Sequence, residues 1–402
     1  VQRTRIVPLF IALTSAAVLF IAVSASFDWP ARSYRAGDFF GFWGASRAII
    51  EGASPYDPLW FSDLARRTGA SLSFERSVYP PWTAIALLPF ALLPFPLAAS
   101  TWLATQLVAV GVTVVLLARR IGAAERPVFV AVAAGSQSLW LLIAGGNVSG
   151  LLFGAVGGTF IAAAAGRPFV AGAFFGLLAV KPHPFLFVGA AAMLAATVVE
   201  RRRFVAGALA TAGPLIAVSL AFRPAWLAEW LGAASGLQAS NGSNATLWTV
   251  GRILGTTTGP TTGLEAATIA AAAAVIGAIA AWALWARAVR PSLPLAIAAA
   301  APISLAVAPH GWSYDQLVLL VPLAAIFAAV GTRPEPQRRR RVVSLTVLAA
   351  AVPWSLYALA FRRGGEELSV LTPLLLFGAL WYLRPDRDGL HGNASPRAPI
   401  LR

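Results

Sequence analysis

The chain has no cysteine, one methionine and three histidines. It therefore has no disulfide, no thiolate ligand for structural zinc and no thiol nucleophile. Three histidines, one of them (His391) in an arginine-rich terminal stretch, leave little material for a metal centre. Charge is scarce as well. Only 12% of the 402 residues are Asp, Glu, Lys or Arg, about half the ~25% a soluble domain carries, too few to clothe a surface facing water. Disorder is excluded too, because 58% of the residues are hydrophobic and 11% aromatic, whereas disordered chains are polar and poor in aromatics. Lysine is nearly missing: of 31 basic residues only Lys181 is not arginine.

What the chain has instead is apolar length. Its mean hydropathy is +0.72, and uncharged runs of membrane-crossing length recur from end to end. Spans are expected at 6–25, 97–118, 127–144, 148–166, 168–181, 184–200, 204–222, 262–289, 291–309, 315–332, 342–361 and 368–384, giving an all-α polytopic membrane protein with about twelve transmembrane helices. The segment 80–95 is apolar but broken by Pro89 and Pro94, so a half-helix or re-entrant piece is expected there. The first run is about 20 residues, longer than a signal-peptide core of roughly 7–15, and reads as an uncleaved anchor even though Ser24-Ala25 resembles a cleavage site.

Arginine sets the expected orientation. With both termini cytoplasmic, 20 basic and five acidic residues fall on the cytoplasmic side, while the outer side balances to zero, so the net charge of +15 sits on one face. The basic balance is then a topology signal, and no nucleic-acid partner is needed to explain it. The expected organisation is one membrane domain over 1–385, with long outer loops at 26–79 and 223–261, and a basic cytoplasmic tail at 386–402. High Ala, Gly and Arg content and the lack of cysteine fit a GC-rich bacterial source, and with the orientation above the expected location is the inner membrane, its site extracytoplasmic.

Polar residues gather at the outer connections. In 37–52, Phe39, Phe42, Trp43, Ile49 and Ile50 suit an interfacial helix. Arg47 and Glu51 form an i, i+4 pair, and Gly52 suits the position after the helix. Asp38 at its start reads either as an N-cap or as a general base at the membrane surface. Tyr79-Pro80-Pro81 and Tyr56-Asp57-Pro58 read as rigid turns. Lys181-Pro182-His183 interrupts an apolar stretch, and an ammonium beside an imidazole suits a phosphate oxygen; Arg47 is a further phosphate candidate. His310, in Pro309-His310-Gly311-Trp312, reads as a phosphate ligand or proton donor, or as a plain turn residue. Asn147 after two glycines, with Asn241, Trp248, Tyr79 and Trp43, reads as sugar- or acceptor-binding, and each has a structural alternative as turn, loop or interfacial-belt residue.

One base among cationic and neutral donors suits an acceptor hydroxyl attacking a sugar whose phosphate leaves. A single carboxylate with no covalent partner implies inversion at the anomeric carbon. No acidic pair stands beside Asp38, so neither metal nor other cofactor is expected. The competing class is a transporter or flippase of a lipid-linked or anionic solute, which should show repeated halves and polar groups at mid-membrane; no repeat is visible.

In order along the chain, Asp38-Phe39 with Trp43 and Arg47, Pro55-Tyr56-Asp57, Tyr79-Pro80-Pro81, Gly146-Asn147, Lys181-Pro182-His183 and Pro309-His310 resemble the family-87 glycosyltransferases over roughly residues 1–385. The resemblance implies a GT-C membrane fold with an outer active site and a polyprenyl-phosphate sugar donor, mainly mannose. It also implies a lipid or glycan acceptor, Asp38 as catalytic base and His310 near the donor phosphate. The turn at 145–149 is Gly-Gly-Asn-Val-Ser, where the resemblance would put Gln before the Asn-like position.

Overall fold

The computed structural model describes residues 29–71, 76–240, 244–256, 262–331 and 333–383. The expected first span (6–25), Asn241 and the tail (386–402) lie outside the described residues. Among the described residues, all regular secondary structure is helical. By length and composition alone, six segments are long and apolar enough to cross a membrane: Phe95–Ala118, Arg126–Gly145, Val198–Phe222, Thr268–Val289, Ser313–Gly331 and Glu335–Arg363. Shorter apolar helices occupy Ser149–Ala164, Pro168–Val180, His183–Ala195, Leu293–Val307 and Glu367–Tyr382. These helices overlap the expected segments from 97–118 onward, but only six of them have the length and composition of a span. The stretch 80–95 is broken as its prolines require, into Pro81–Ala86 and Leu88–Ala91.

The chain divides into two compact units. The first comprises the described residues up to 111, with 140–151 and 215–237. Its centre is α1 (Asp38–Ile50). The sequence suits this helix to an interface, yet Phe39, Phe40, Phe42 and Trp43 are all buried inside the unit. The reason is that aromatic side chains lie on several of its faces, while Gly41 and Gly44 thin it enough for neighbours to close in. Phe39 stacks on Trp102 at 5.2 Å, Phe40 meets Phe95 at 5.7 Å, and Phe42 lies 4.2 Å from the Tyr79 ring. Downstream, α2 (Pro58–Thr68) is capped by Asp57, whose Oδ1 accepts from Leu59 N at 2.9 Å, with Pro58 at the position that tolerates it.

The second unit comprises the described residues within 112–139 and 152–214 and those from 238 onward. Its axis is α3 (Leu293–Val307), where every residue from Leu293 to Ala306 is buried. A helix apolar on all sides belongs in the centre of a bundle, and α3 packs against Leu186–Ala195, Thr262–Val289, Leu320–Gly331 and Leu371–Leu383. Another pair, α4 (Pro168–Gly176) and α5 (Val198–Phe222), is packed backbone to backbone. A Cβ at Gly172 would lie 1.8 Å from the Phe204 carbonyl oxygen, and one at Gly207 would lie 2.0 Å from that of Phe169. Small residues are what permit such contact between apolar helices. This pair aims the turn that carries Lys181, and the end of α3 aims the loop that carries His310.

Candidate functional site

In the first unit, α1 begins at Asp38 itself. Gly37 is the N-cap, with extended backbone and no side-chain cap bond. Asp38 is thus the first helical residue rather than the cap, and its half-buried carboxylate faces the positive end of the helix dipole. Gly37 is fixed by contact: a Cβ there would lie 2.3 Å from the Gly145 carbonyl oxygen. The same turn is tied down by Tyr34, whose hydroxyl donates to Ile143 O at 3.0 Å, and by Trp102, whose indole donates to Gly146 O at 2.7 Å. Gly146 takes a left-handed conformation, φ 66°, as a glycine readily does. Asn147 follows, buried, with Oδ1 accepting from Ser149 N at 3.0 Å. Its Nδ2 is enclosed and has no hydrogen-bond partner among the described residues. Asp38 and Asn147 therefore flank one contact, Gly37 against Gly145.

Other candidates of this unit are committed to structure. The Trp43 indole is buried and donates to Leu93 O at 3.3 Å, so its ring serves the aromatic core rather than a sugar. Tyr79 packs on Phe42, and its carbonyl accepts from the Tyr56 hydroxyl at 2.7 Å. The Arg47 Nε donates to Glu51 at 2.8 Å and its Nη1 to Ala91 O at 3.3 Å. The Arg47 bond, with Arg67 adding to it, holds the Glu51 carboxyl below its ordinary pKa.

In the second unit, Lys181 ends a 3₁₀ turn (Leu177–Val180) that continues α4. It is 2% exposed. Its Nζ lies 2.7 Å from both carboxylate oxygens of Asp315 and 5.0 Å from the centre of the Tyr314 ring. A buried ammonium needs such compensation, and this one is already neutralised within the protein. Asp315 also accepts from Trp312 N at 3.1 Å, which closes the 309–315 loop on itself. A second carboxylate pins the loop from outside: Glu366 accepts from Ser313 N at 2.8 Å. Burial pushes Glu366 above its ordinary pKa, the Ser313 bonds pull it back, and nearby Asp315 adds to the rise.

The loop holds His310 by both ring nitrogens. The Trp312 indole donates to Nε2 at 3.1 Å, and the Asn244 amide faces Nδ1 at 2.9 Å. An indole N–H can only donate, so Nε2 must be the unprotonated nitrogen and the ring proton sits on Nδ1. The Asn244 oxygen is then the atom that meets it, an orientation reached by a half-turn of the amide. Trp312 and Asn244 thus hold the His310 ring in one orientation. Trp248 is half-buried, its indole donating to Val307 O at 3.0 Å just ahead of the loop.

His183 stands beside this frame, its ring centre 6.0 Å from that of His310. It lies in the connection that follows Lys181. Burial, with Lys181 and His310 nearby, pushes its pKa well below the ordinary imidazole value, against a hydrogen bond to the His310 backbone that raises it. Its Nε2 is enclosed and has no partner among the described residues. The frame thus joins Lys181, His183 and His310 and adds Asp315, Glu366 and Asn244. Asp315 had one advance signal, since a lone lysine in an apolar stretch demands a counter-charge. Glu366 and Asn244 had none. Among the described residues, no group of three or more His, Asp or Glu side chains is arranged to hold a metal ion.

Neither curated proteins nor solved structures give a match to this chain. A family model does: that of glycosyltransferase family 87 matches residues 78–309, more than half of the chain, which takes in the Tyr79 turn, Asn147, Lys181 and His183 and ends at Pro309. With its apolar helices and the ordered motifs they present, the chain belongs to glycosyltransferase family 87.

Proposed function

We propose that the protein moves a sugar, mannose as the simplest case, from a polyprenyl-phosphate donor to a hydroxyl of a lipid or glycan acceptor at the extracytoplasmic face of a bacterial inner membrane, with inversion at the anomeric carbon and a GT-C architecture. The observation that carries this is Asp38: a half-buried carboxylate at the first turn of α1, in a chain of glycosyltransferase family 87. A helix N-terminus favours the ionised carboxylate, the form a general base requires. The acceptor hydroxyl loses its proton to Asp38 as its oxygen bonds to the anomeric carbon. The bond from that carbon to the phosphate oxygen breaks, and polyprenyl phosphate leaves as the anion. The enclosed Asn147 Nδ2 supports a sugar contact near that turn, because a buried donor is costly to leave unmet. Lys181 enters through Asp315, as the pair that holds the 309–315 loop, and not as a free cation. Purified protein incubated with polyprenyl-phosphate sugars of several types and a lipid acceptor tests the proposal. The wild type consumes one donor, and Asp38→Asn slows that turnover by at least a hundredfold, toward the upper part of the ~10²–10⁴ range for general-base loss, while inserting normally. Near-normal turnover by Asp38→Asn removes the base, and a wild type that consumes none of the donors removes the activity.

A further inference from the structure

The transfer step assigned to Asp38 makes no use of the far end of α1, yet that end opens on a cleft of the first unit. Its volume is about 690 Å³, within the roughly 300–1,000 Å³ of small-ligand sites. One wall is the connection from Gly52 to Asp57, between α1 and α2. The other is the first half of the helix Trp226–Ser240, and Arg76 and Arg223 complete the lining. The walls are bonded together: the Ser54 hydroxyl donates to Glu229, and the Trp230 indole donates to Val78 O at 3.2 Å. Ser77 N donates to Pro55 O at 3.1 Å, which fixes the chain beside Arg76. Of the charged side chains in the cleft, both acids are occupied. Glu229 is met on one oxygen by Arg223 Nη2 at 2.9 Å and on the other by Ser54. Asp57 caps α2 through Leu59 N and Trp60 N. The arginines are not occupied: Arg223 engages one of its three nitrogens on Glu229, and Arg76 makes no ion pair or hydrogen bond among the described residues. A guanidinium keeps its charge at any working pH, and its fork matches the oxygens of an anion.

Length decides which substrate this anion belongs to. Asp38 begins α1 and the cleft lies past its other end; 13 residues of helix separate them by ~20 Å along the axis. The donor phosphate is attached to the anomeric carbon under attack, so it stays at the Asp38 end. We infer that the cleft binds a phosphoryl group of the acceptor, through Arg76 and the open donors of Arg223, and that the acceptor is an anionic molecule that spans α1. A phosphoryl group has oxygens for two guanidinium forks, whereas the two oxygens of a carboxylate fill one. The assignment to the acceptor rests on Asp38 being the base; the binding of a phosphoryl group in the cleft does not. That group has two sources, a lipid headgroup and a phosphorylated soluble sugar, and the experiment separates them.

The test is calorimetric titration of the full chain in a non-ionic amphipol at one ionic strength. One arm adds dihexanoyl-phosphatidylglycerol, with dihexanoylglycerol as its uncharged counterpart. The other adds glucose-6-phosphate, with glucose as its counterpart. The expected result is binding in at least one arm, at least tenfold tighter than that of the uncharged counterpart; the arm that responds names the source. Arg76→Gln, which breaks no bond among the described residues, weakens the responding probe about tenfold, the scale of one lost hydrogen bond to a charged group. Arg76→Lys keeps the charge without the fork and falls between the two. Protein saturated with a short-chain polyprenyl-phosphate sugar binds the probe within about twofold of the free protein. A wild type that binds neither phosphorylated probe overturns the proposal, and so does binding indifferent to Arg76→Gln. Counterparts that bind as well as the phosphorylated probes overturn it too, because they make the cleft a neutral sugar site. Loss of the probe from donor-saturated protein gives the cleft to the donor and overturns it as well. Arg76-dependent binding in a protein that consumes no donor would sink the transfer activity and leave the cleft as a phosphoryl site; donor consumption without such binding would do the reverse.

Discussion

Breaking the Lys181–Asp315 pair from one side should cost more than removing it altogether. The two side chains are 3% and 1% exposed, with Nζ at 2.7 Å from Oδ1 and also from Oδ2. At an effective dielectric near 20, that separation corresponds to about 6 kcal/mol of attraction, and the desolvation of both ions takes most of it back. Lys181→Met keeps the Trp312 N–H on Asp315 but strands a buried carboxylate. Asp315→Asn strands a buried ammonium over the Tyr314 ring. Each single variant should lose about 3–5 kcal/mol. The double variant has no buried charge, and the amide oxygen that takes the place of the Asp315 carboxylate can still accept from Trp312 N, so its loss should be only about 1–2 kcal/mol. An unfolding entropy of about 2.1 cal/mol/K per residue over 402 residues turns these into apparent midpoint drops of roughly 4–6 °C for the singles and about 2 °C for the double. The assay is thermal unfolding in one detergent at one scan rate for all four proteins. A double variant whose drop equals the sum of the singles, or singles within about 1 °C of wild type, would refute the account of the pair.

Two further substitutions probe single contacts. Gly37→Ala forces a Cβ to within 2.3 Å of the Gly145 carbonyl oxygen, and because the obstacle is backbone, an overpacking cost of about 1–3 kcal/mol is expected, together with slower transfer as Asp38 shifts; a variant with wild-type midpoint and rate would contradict this. For Glu366, burial, the largest cause, holds the folded-state pKa above the unfolded one, with Ser313 opposing and Asp315 assisting. Its stabilising share is therefore complete below the unfolded carboxylate value of about 4.3 and disappears as pH rises through the folded value. The midpoint of wild type relative to Glu366→Gln should fall as pH climbs from about 4 into the neutral range. A difference that stays flat, or grows with pH, would show that burial does not govern this carboxyl.

Much of the helix map was legible from local pattern, because apolar length, proline breaks and turn residues act over a few residues. Gly52 does follow the Asp38–Ile50 helix with φ 72°, Arg47 does pair with Glu51, and Asp57 does hold a turn. Lys181 stood out because a lysine is anomalous in an apolar, arginine-using chain. Its partner was not legible, since Asp315 lies 134 positions away and only the packing of α3 against both 183–185 and 313–319 brings the two together. Trp43 shows the same limit: a tryptophan near a membrane surface and one in a core have the same local sequence, and Leu93 and Phe95 bury this one from outside that window. The tautomer of His310 is fixed by Trp312 and Asn244, the one two residues on and the other in a distant loop, so spacing alone could reveal only half of it.

The backbone-to-backbone seam between α4 and α5 constrains how this part of the protein can work. With Gly172 and Gly207 each filled by a facing carbonyl, the two helices can neither slide nor roll past one another without collision. The corner bearing Lys181 and His183 must then travel as one piece with the 198–214 part of α5, acting as an anvil. The strap from Pro309 to Asp315 is fastened to that corner by the buried Lys181–Asp315 pair, so the anvil gives the ring of His310 a fixed footing.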